Sequence, residues 1–399
     1  MKEWQQRKFG ELYKVPSRNG LSKPSRVRGS GYKMINMGEL FANDRIYDID
    51  MELVPLTDSE KEKAKVESGD LLFARQSLIA SGAGKCSIVM KTSELTVFES
   101  HLIRVRLDQE IADPMFYYYY FKSPRSPMRT IVEHCVQAGI KASDLEKLLV
   151  KVPPIEEQRK TARVLSRIDK KIEVNKEINE NLERQAQAYF EELFVVNADP
   201  NWPECTLSDI GSIVAGGTPS KSKSEYYADQ GIAWITPKDL SVDKSKFISH
   251  GENDISELGF SKSSTKKMPA GTVLFSSRAP IGYIAIAQNE LTTNQGFKSV
   301  IPNENIGTSY VYFLLKNLLP TIEGMASGST FKEISGAGMK SVPTVMPDVN
   351  IIQLFNNFCE PIFKEQEILE AENRRLSALR DSLLPKLMSG EIDISSLDI

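Results

Sequence analysis

The chain has 399 residues, enough for two or three domains, and its 41% apolar and 26% charged residues are ordinary for a globular protein. The net charge of -3 does not announce a polyanion binder, and no apolar run approaches the ~18 residues of a membrane span. The opening MKEWQQRKFG has no apolar signal-peptide core, so a cytoplasmic protein is expected.

Cys86, Cys135, Cys205 and Cys359 are far apart with no CxxC pair, and His101, His134 and His250 are equally scattered. Neither disulfides nor a metal site is expected from this inventory. Charge is unevenly spread. Residues 1–151 carry 24 Lys/Arg against 20 Asp/Glu, and residues 1–38 alone carry nine against two. The segments 152–194, 195–349 and 350–399 are net -1, -2 and -4. A basic opening segment suits either a solvated face or contact with a polyanion.

In chain order, the sequence is written twice. Trp4 with FGELYKV (9–15) returns as Trp202 with LSDIGSIV (207–214), and GYKMINMGEL (31–40) as GIAWITPKDL (231–240). VESGDLLFARQ (66–76) is matched by MPAGTVLFSSR (268–278), and DPMFYYYYFKSP (113–124) by GTSYVYFLLKNL (307–318). QAGIKASDLEKLLVKVPPIEEQ (137–158) parallels ASGSTFKEISGAGMKSVPTVMPDVNIIQ (326–353). Five pairs in one order, at offsets near half the chain, indicate a diverged tandem duplication. The run FYYYYF invites a stacking platform for bases, yet YVYFLL in the same place of the second half favours a core helix.

Each half leads into a long helix. In the first, Leu165, Ile168, Ile172, Asn175, Asn179, Leu182, Ala186, Tyr189 and Leu193 recur at three- and four-residue steps. In the second, the matching set is Phe355, Phe358, Ile362, Glu365, Leu369, Glu372, Leu376, Leu379 and Leu383. These are heptad seams with polar interruptions, which weaken a seam but restrict its register. Antiparallel pairing of the two rods would return the C-terminus to the first half. Pro385 and Gly390 would bend and end the second rod. Two helices packed separately on their own domains are the alternative.

The search for an active site fails. SGAGKCS (81–87) lacks the glycine and the Ser/Thr of a phosphate loop, where Ile79 and Cys86 stand. No GxGxxG opens a helix after a strand, and neither GxSxG nor HExxH occurs. The DKK at 169–171 falls on the first rod without a companion acid site.

The halves carry loops of small polar and basic residues at matching places. Candidates for nucleic-acid contact are Arg26, Arg28, Lys33, Arg75, Gln76, Lys85 and Lys141 in the first half. In the second they are Thr218, Ser220, Lys221, Lys223, Thr236, Lys238, Ser276, Arg278, Asn294, Gln295, Lys298, Thr330 and Lys332. Arg, Asn and Gln suit guanine and adenine edges, whereas Lys, Ser and Thr suit phosphates.

This layout resembles the specificity subunit of type I restriction–modification systems. The resemblance rests on GGTPSKSKSEYYADQGIAWITPKDL (216–240), PPIEEQRKTARVLSRIDKKIE (153–173) and LRDSLLPKLMSGEID (379–393). The first half departs from it, with SRNGLSKPSRVRGSGYKMINMGEL (17–40) in place of a clear GGTPS segment. It implies an α+β chain with target recognition domains at 1–151 and 197–349. Conserved helices at 152–196 and 350–399 would pair as an antiparallel coiled coil, giving a pseudo-twofold dumbbell. It further implies a non-catalytic subunit in a prokaryotic cytoplasm, each domain reading half of a bipartite, asymmetric double-stranded DNA target. The helices would set the spacing and dock two methyltransferase subunits. No cofactor is expected on this chain; S-adenosylmethionine, ATP and magnesium would sit on the methyltransferase and ATP-dependent restriction subunits. A coiled-coil scaffold with two protein-binding heads and a stand-alone DNA-modifying enzyme are the alternatives.

Overall fold

A computed structural model describes residues 4–77, 82–134, 138–328 and 332–394. The chain forms two compact units, the first of residues 1–172 with 375–399 and the second of residues 173–374. Four helices organise them: α1 (Pro114–Lys122), α2 (Ile155–Glu191), α3 (Thr308–Met325) and α4 (Val349–Ser389).

The first unit is built on a five-stranded sheet in the order Tyr13–Asn19, Leu102–Leu107, Leu71–Ala74, Cys86–Val89, Arg45–Ile46. All neighbours are antiparallel except the last pair, which is parallel. The second unit repeats this plan with Gly211–Ala215, Lys298–Pro302, Val273–Ser277, Ile281–Ala287 and Phe247–Ile248, again with a parallel final pair. The duplication read in the sequence is therefore a duplication of topology.

The strand LLFA (71–74) is apolar throughout because its sheet is covered on both faces. Alternation then sorts its residues: Leu71 and Phe73 enter one core with α1, while Leu72 and Ala74 enter another with Met34, Ile35 and Phe98. In the second unit Val273 and Phe275 face α3, and Leu274 faces the core of Ile235 and Phe297.

Helix α1 starts on an Asp113 cap that accepts from the Phe116 amide, with Pro114 in the first turn. Phe116 through Phe121 are all buried. Tyr117 donates its hydroxyl to the Lys151 carbonyl, Tyr119 donates to Asp169, Tyr120 accepts from the Lys151 amide, and Tyr118 accepts from Lys122. With both rings and hydroxyls engaged, this helix is core, as the repeat predicts. In α3, Tyr310, Tyr312 and Phe313 are buried in the same role.

The long helices α2 and α4 have 37 and 41 residues. Each is shared between the units, so the expected helical segments 152–196 and 350–399 do not stand apart from the sheets. Their apolar faces close the sheet cores instead. In the first unit Ala162 and Leu165 of α2 lie with Leu384, Leu387 and Met388 of α4 in the α1 core. In the second, Ala186 and Phe190 of α2 lie with Phe355, Cys359 and Ile362 of α4 in the α3 core. Within each unit the partner on α4 recedes as α2 advances: Leu165 lies with Leu384 and Asp169 meets Arg380 in the first, and Asn175 meets Glu372, Asn179 meets Gln366 and Tyr189 meets Phe358 in the second, an antiparallel pairing. Because residues 375–394 complete the first unit, the described C-terminal segment returns to it.

Along the α2 seam expected from the sequence, Leu165, Ile172 and Asn175 are buried and Ile168, Asn179 and Leu182 half-buried. The α4 seam needs correction. Ile362 and Leu369 are buried, and Leu376 and Leu383 half-buried, but Leu379 is 47% exposed and Phe358 39%. Glu365 also faces out, while the adjacent Cys359 and Gln366 are buried. The true seam advances one residue at alternate steps and admits Gln366, Asn373 and Arg380, whose polarity hid it. The helix also continues through Pro385 and stops only at Gly390, whose φ of 77° is left-handed.

Candidate nucleic-acid interface

In the second unit the GGTPS loop is fastened from behind. A Cβ on Gly216 would lie 2.0 Å from the Asn294 carbonyl oxygen, and one on Gly217 would lie 2.5 Å from the Thr265 amide. Only glycine permits this approach. The Trp234 indole donates to the Gly217 carbonyl at 3.0 Å and the Tyr227 hydroxyl to the Pro219 carbonyl at 2.9 Å. Ser220, Lys221 and Lys223 are left exposed beyond these anchors, with Lys223 3.6 Å from Glu225. Thr218 is half-buried.

Other predicted residues serve the framework. Thr236 caps the helix Pro237–Val242 in a reciprocal box with Asp239, so its hydroxyl is committed at 2.6 Å. Ser276 is fully buried, donates to the Pro280 carbonyl and accepts from the Tyr283 amide, bracing the turn that carries Arg278. Both are corrections to a surface assignment: small hydroxyls beside turns are also what caps and turns require. Asn294 accepts from the Gly296 amide at 2.8 Å, leaving Gln295 exposed at the loop tip. Lys298 is 92% buried, and burial pulls its ammonium below the usual lysine value against the opposing pull of Glu333. Lys332 is exposed, and Thr330 lies outside the described residues.

In the first unit Arg26 is exposed on the turn Ser25–Val27. Arg28 donates to Glu52 at 2.6 Å and to the Lys23 carbonyl, and Lys33 meets Asp48 at 2.5 Å. Lys85 donates to the Phe41 carbonyl at 2.7 Å and lies 3.5 Å from Asp44. Lys141 meets Glu133 at 2.6 Å. Arg75 and Gln76 are half-buried at the end of the two-core strand, on the ladder Gln76–Gly139–Glu133. In the second unit Lys238 meets Glu252 at 2.5 Å, and Arg278 meets Glu333 at 3.3 Å. Most of the predicted cations therefore face a carboxylate, which the residue types alone did not disclose.

Two buried polar clusters were also missed. Asp169, read as part of a stray DKK, accepts from Tyr119 at 2.6 Å, Arg45 at 2.8 Å and Arg380 at 2.9 Å. Burial raises the Tyr119 phenol above its ordinary value, so it donates as a neutral hydroxyl. In the second unit Lys246 contacts Glu183, donates to Gln366 at 2.6 Å and lies over the Phe363 ring at 4.1 Å. Glu370 accepts from the Lys246 and Phe247 amides. In the first unit Arg45 of the parallel edge strand reaches α2 at Asp169, which also takes Arg380 of α4, and in the second Lys246, next to that strand, contacts both long helices itself. The partners are 50 to 211 residues apart, and no local spacing could have paired them.

Among the described residues no three His, Cys, Asp or Glu side chains are grouped to hold a metal ion, and no helix is long and apolar enough to cross a membrane. Cys86 and Cys359 are buried thiols, and Cys205 is half-buried and free.

Comparison with known proteins agrees with the tandem architecture. The chain is 24% identical to the type I restriction enzyme HindI specificity subunit of Haemophilus influenzae, over 98% of this chain and 100% of that protein. It is 37% identical to the MjaIX specificity subunit of Methanocaldococcus jannaschii over 190 residues, 45% of this chain and 44% of that protein. The latter match therefore spans less than half of its relative. The fold is similar to the crystal structure of a type I restriction–modification S subunit from M. genitalium, with a TM-score of 0.62 at 18% identity over 96% of each chain. The family described as Type I restriction modification DNA specificity domain matches twice, over residues 1–184 and 200–375, and with two such domains in tandem this chain belongs to that family.

Proposed function

We propose that this chain is the non-catalytic DNA-reading subunit of a type I restriction–modification complex, each unit reading one half of a bipartite, asymmetric target. The observation that carries this is one sheet-and-loop framework built twice with different side chains at matched positions. Gln76 and Arg278 follow corresponding two-core strands. Two copies of one reader carrying different side chains suit two different half-sites.

In this reading α2 and α4 fix the separation of the half-sites and dock two methyltransferase subunits. Those partners supply S-adenosylmethionine chemistry on an extruded base, and ATP-dependent restriction subunits with magnesium complete the assembly. The work takes place on double-stranded DNA in a prokaryotic cytoplasm. Arg26, Arg28, Lys33, Arg75, Gln76, Lys85 and Lys141 are the contacts of the first unit. Thr218, Ser220, Lys221, Lys223, Lys238, Arg278, Asn294, Gln295, Lys298 and Lys332 are those of the second. The test is methylome sequencing of a host expressing this chain with its cognate methyltransferase. A single split, asymmetric methylated motif is expected. Methyl transfer or cleavage by the purified chain alone would overturn the reading.

A further inference from the structure

Arg278 and Lys298 share one carboxylate. Arg278 donates to one oxygen of Glu333 at 3.3 Å, and the Lys298 ammonium lies 3.6 Å from the other. Both contacts are long for charge-assisted bonds, which run ~2.7–2.9 Å. The side chains of Arg278 and Glu333 are 36% and 37% exposed, so an incoming anion can reach them. Glu333 is held in place by its backbone, which exchanges two hydrogen bonds with Ser327 (2.9 and 3.1 Å) and bridges Arg278.

The first unit has the same ladder with different contents. The Ile140 amide donates to the Arg75 carbonyl as the Ile334 amide donates to the Ser277 carbonyl. This correspondence sets Gly139 opposite Gln76 where the second unit sets Glu333 opposite Arg278. One unit thus carries a resident anion at this place, and the other carries an uncharged pair.

We infer that Glu333 is a specificity-determining residue: a built-in competitor for DNA that occupies Arg278 and Lys298 until the correct half-site displaces it. The inference rests on the functional reading above. With Glu333 ionised the cluster is net +1, and without it +2, so the carboxylate lowers its attraction for any phosphate backbone. A cognate half-site compensates by giving Arg278 a base edge, a guanine N7 and O6 being the best geometric match. Non-cognate DNA offers Arg278 no matching base edge and must still expel the carboxylate. Discrimination is thereby concentrated at the half-site read by the second unit.

The test uses the assembled complex of this chain with its methyltransferase subunits, on duplexes carrying the methylated motif or changes in either half. Glu333→Gln is expected to tighten binding about tenfold to duplexes altered in one half-site only, with the log K against log salt slope steeper by about 0.9. Discrimination at the other half-site should stay within about twofold. The double variant Arg278→Met, Glu333→Gln should abolish the gain. Unchanged affinities with Glu333→Gln, or loss of discrimination at both halves alike, overturn the inference while leaving the functional reading intact. A wild-type assembly that prefers no duplex overturns the functional reading itself.

Discussion

The Tyr119 hydroxyl donates to the Asp169 carboxylate at 2.6 Å, and the same carboxylate accepts from Arg45 and Arg380. One acidic side chain thus joins helix α1, the strand Arg45–Ile46 and both long helices within the first unit. Replacing it with Asn leaves a neutral group facing two guanidinium groups, Arg45's being 7% exposed. Asp169→Asn should destabilise the first unit by about 2–3 kcal/mol, since removing one partner of a buried pair costs most. Urea denaturation followed by a first-unit probe checks this, and a loss below about 0.5 kcal/mol would reject it.

The Glu183 carboxyl is buried, which pushes it up, but Lys246 and Lys316 outweigh burial and hold it below its ordinary 4.5. A carboxylate whose folded value is lowered contributes stability that is full above the unfolded value and lost as pH falls through the folded one. Glu183→Gln should therefore cost the second unit about 2 kcal/mol near neutral pH. The difference from wild type should shrink below pH 4.5. Denaturation at about pH 7 and about pH 3.5 decides the matter: an equal difference at both would assign the loss to packing.

Gly217→Ala sets a Cβ 2.5 Å from the Thr265 amide and 2.6 Å from the Ser264 side-chain oxygen. The GGTPS loop must move off the sheet, breaking the bond from Trp234, at about 1–3 kcal/mol. Recognition of one half-site should fall while the other holds. Equal loss at both would mean the whole chain is disturbed.

Arg278→Ala should weaken one half-site by about 1–3 kcal/mol and relax base preference there. Lys221→Ala, on an exposed loop, should instead weaken all duplexes alike and lower the salt slope by about 0.9. Binding across a duplex panel at several salt concentrations separates the two patterns. If both variants behave identically, the distinction between base and phosphate contact is wrong.

Removing residues 173–179, one heptad of α2, keeps the phase of its apolar face while shortening it by about 10 Å. The permitted spacer between half-sites should shift by about 3 base pairs, at 3.4 Å each. Methylome sequencing reads this directly, and an unchanged spacer removes the ruler role.

The duplication, the buried aromatic helices and the two rods were legible because each leaves a pattern within a few dozen residues. Phe116–Phe121 reads as core once Tyr310–Leu315 is aligned with it. The α4 register was not legible, because Gln366 and Arg380 occupy inward positions that polarity assigns to solvent. Thr236 and Ser276 look like surface hydroxyls until their bonds to Asp239 and Pro280 are seen. The carboxylate partners of Arg28, Lys33 and Arg278 were hidden for the same reason: each contact joins residues brought together only by the fold.

The strands Leu71–Ala74 and Val273–Ser277 each wedge alternate side chains into two cores, and each ends beside a candidate reader, Gln76 or Arg278. A backbone gripped from both faces holds its course whatever side chain comes next. The residue at the tip can then be exchanged without the scaffold noticing. New sequence preferences become reachable one substitution at a time, on a frame that never has to be rebuilt.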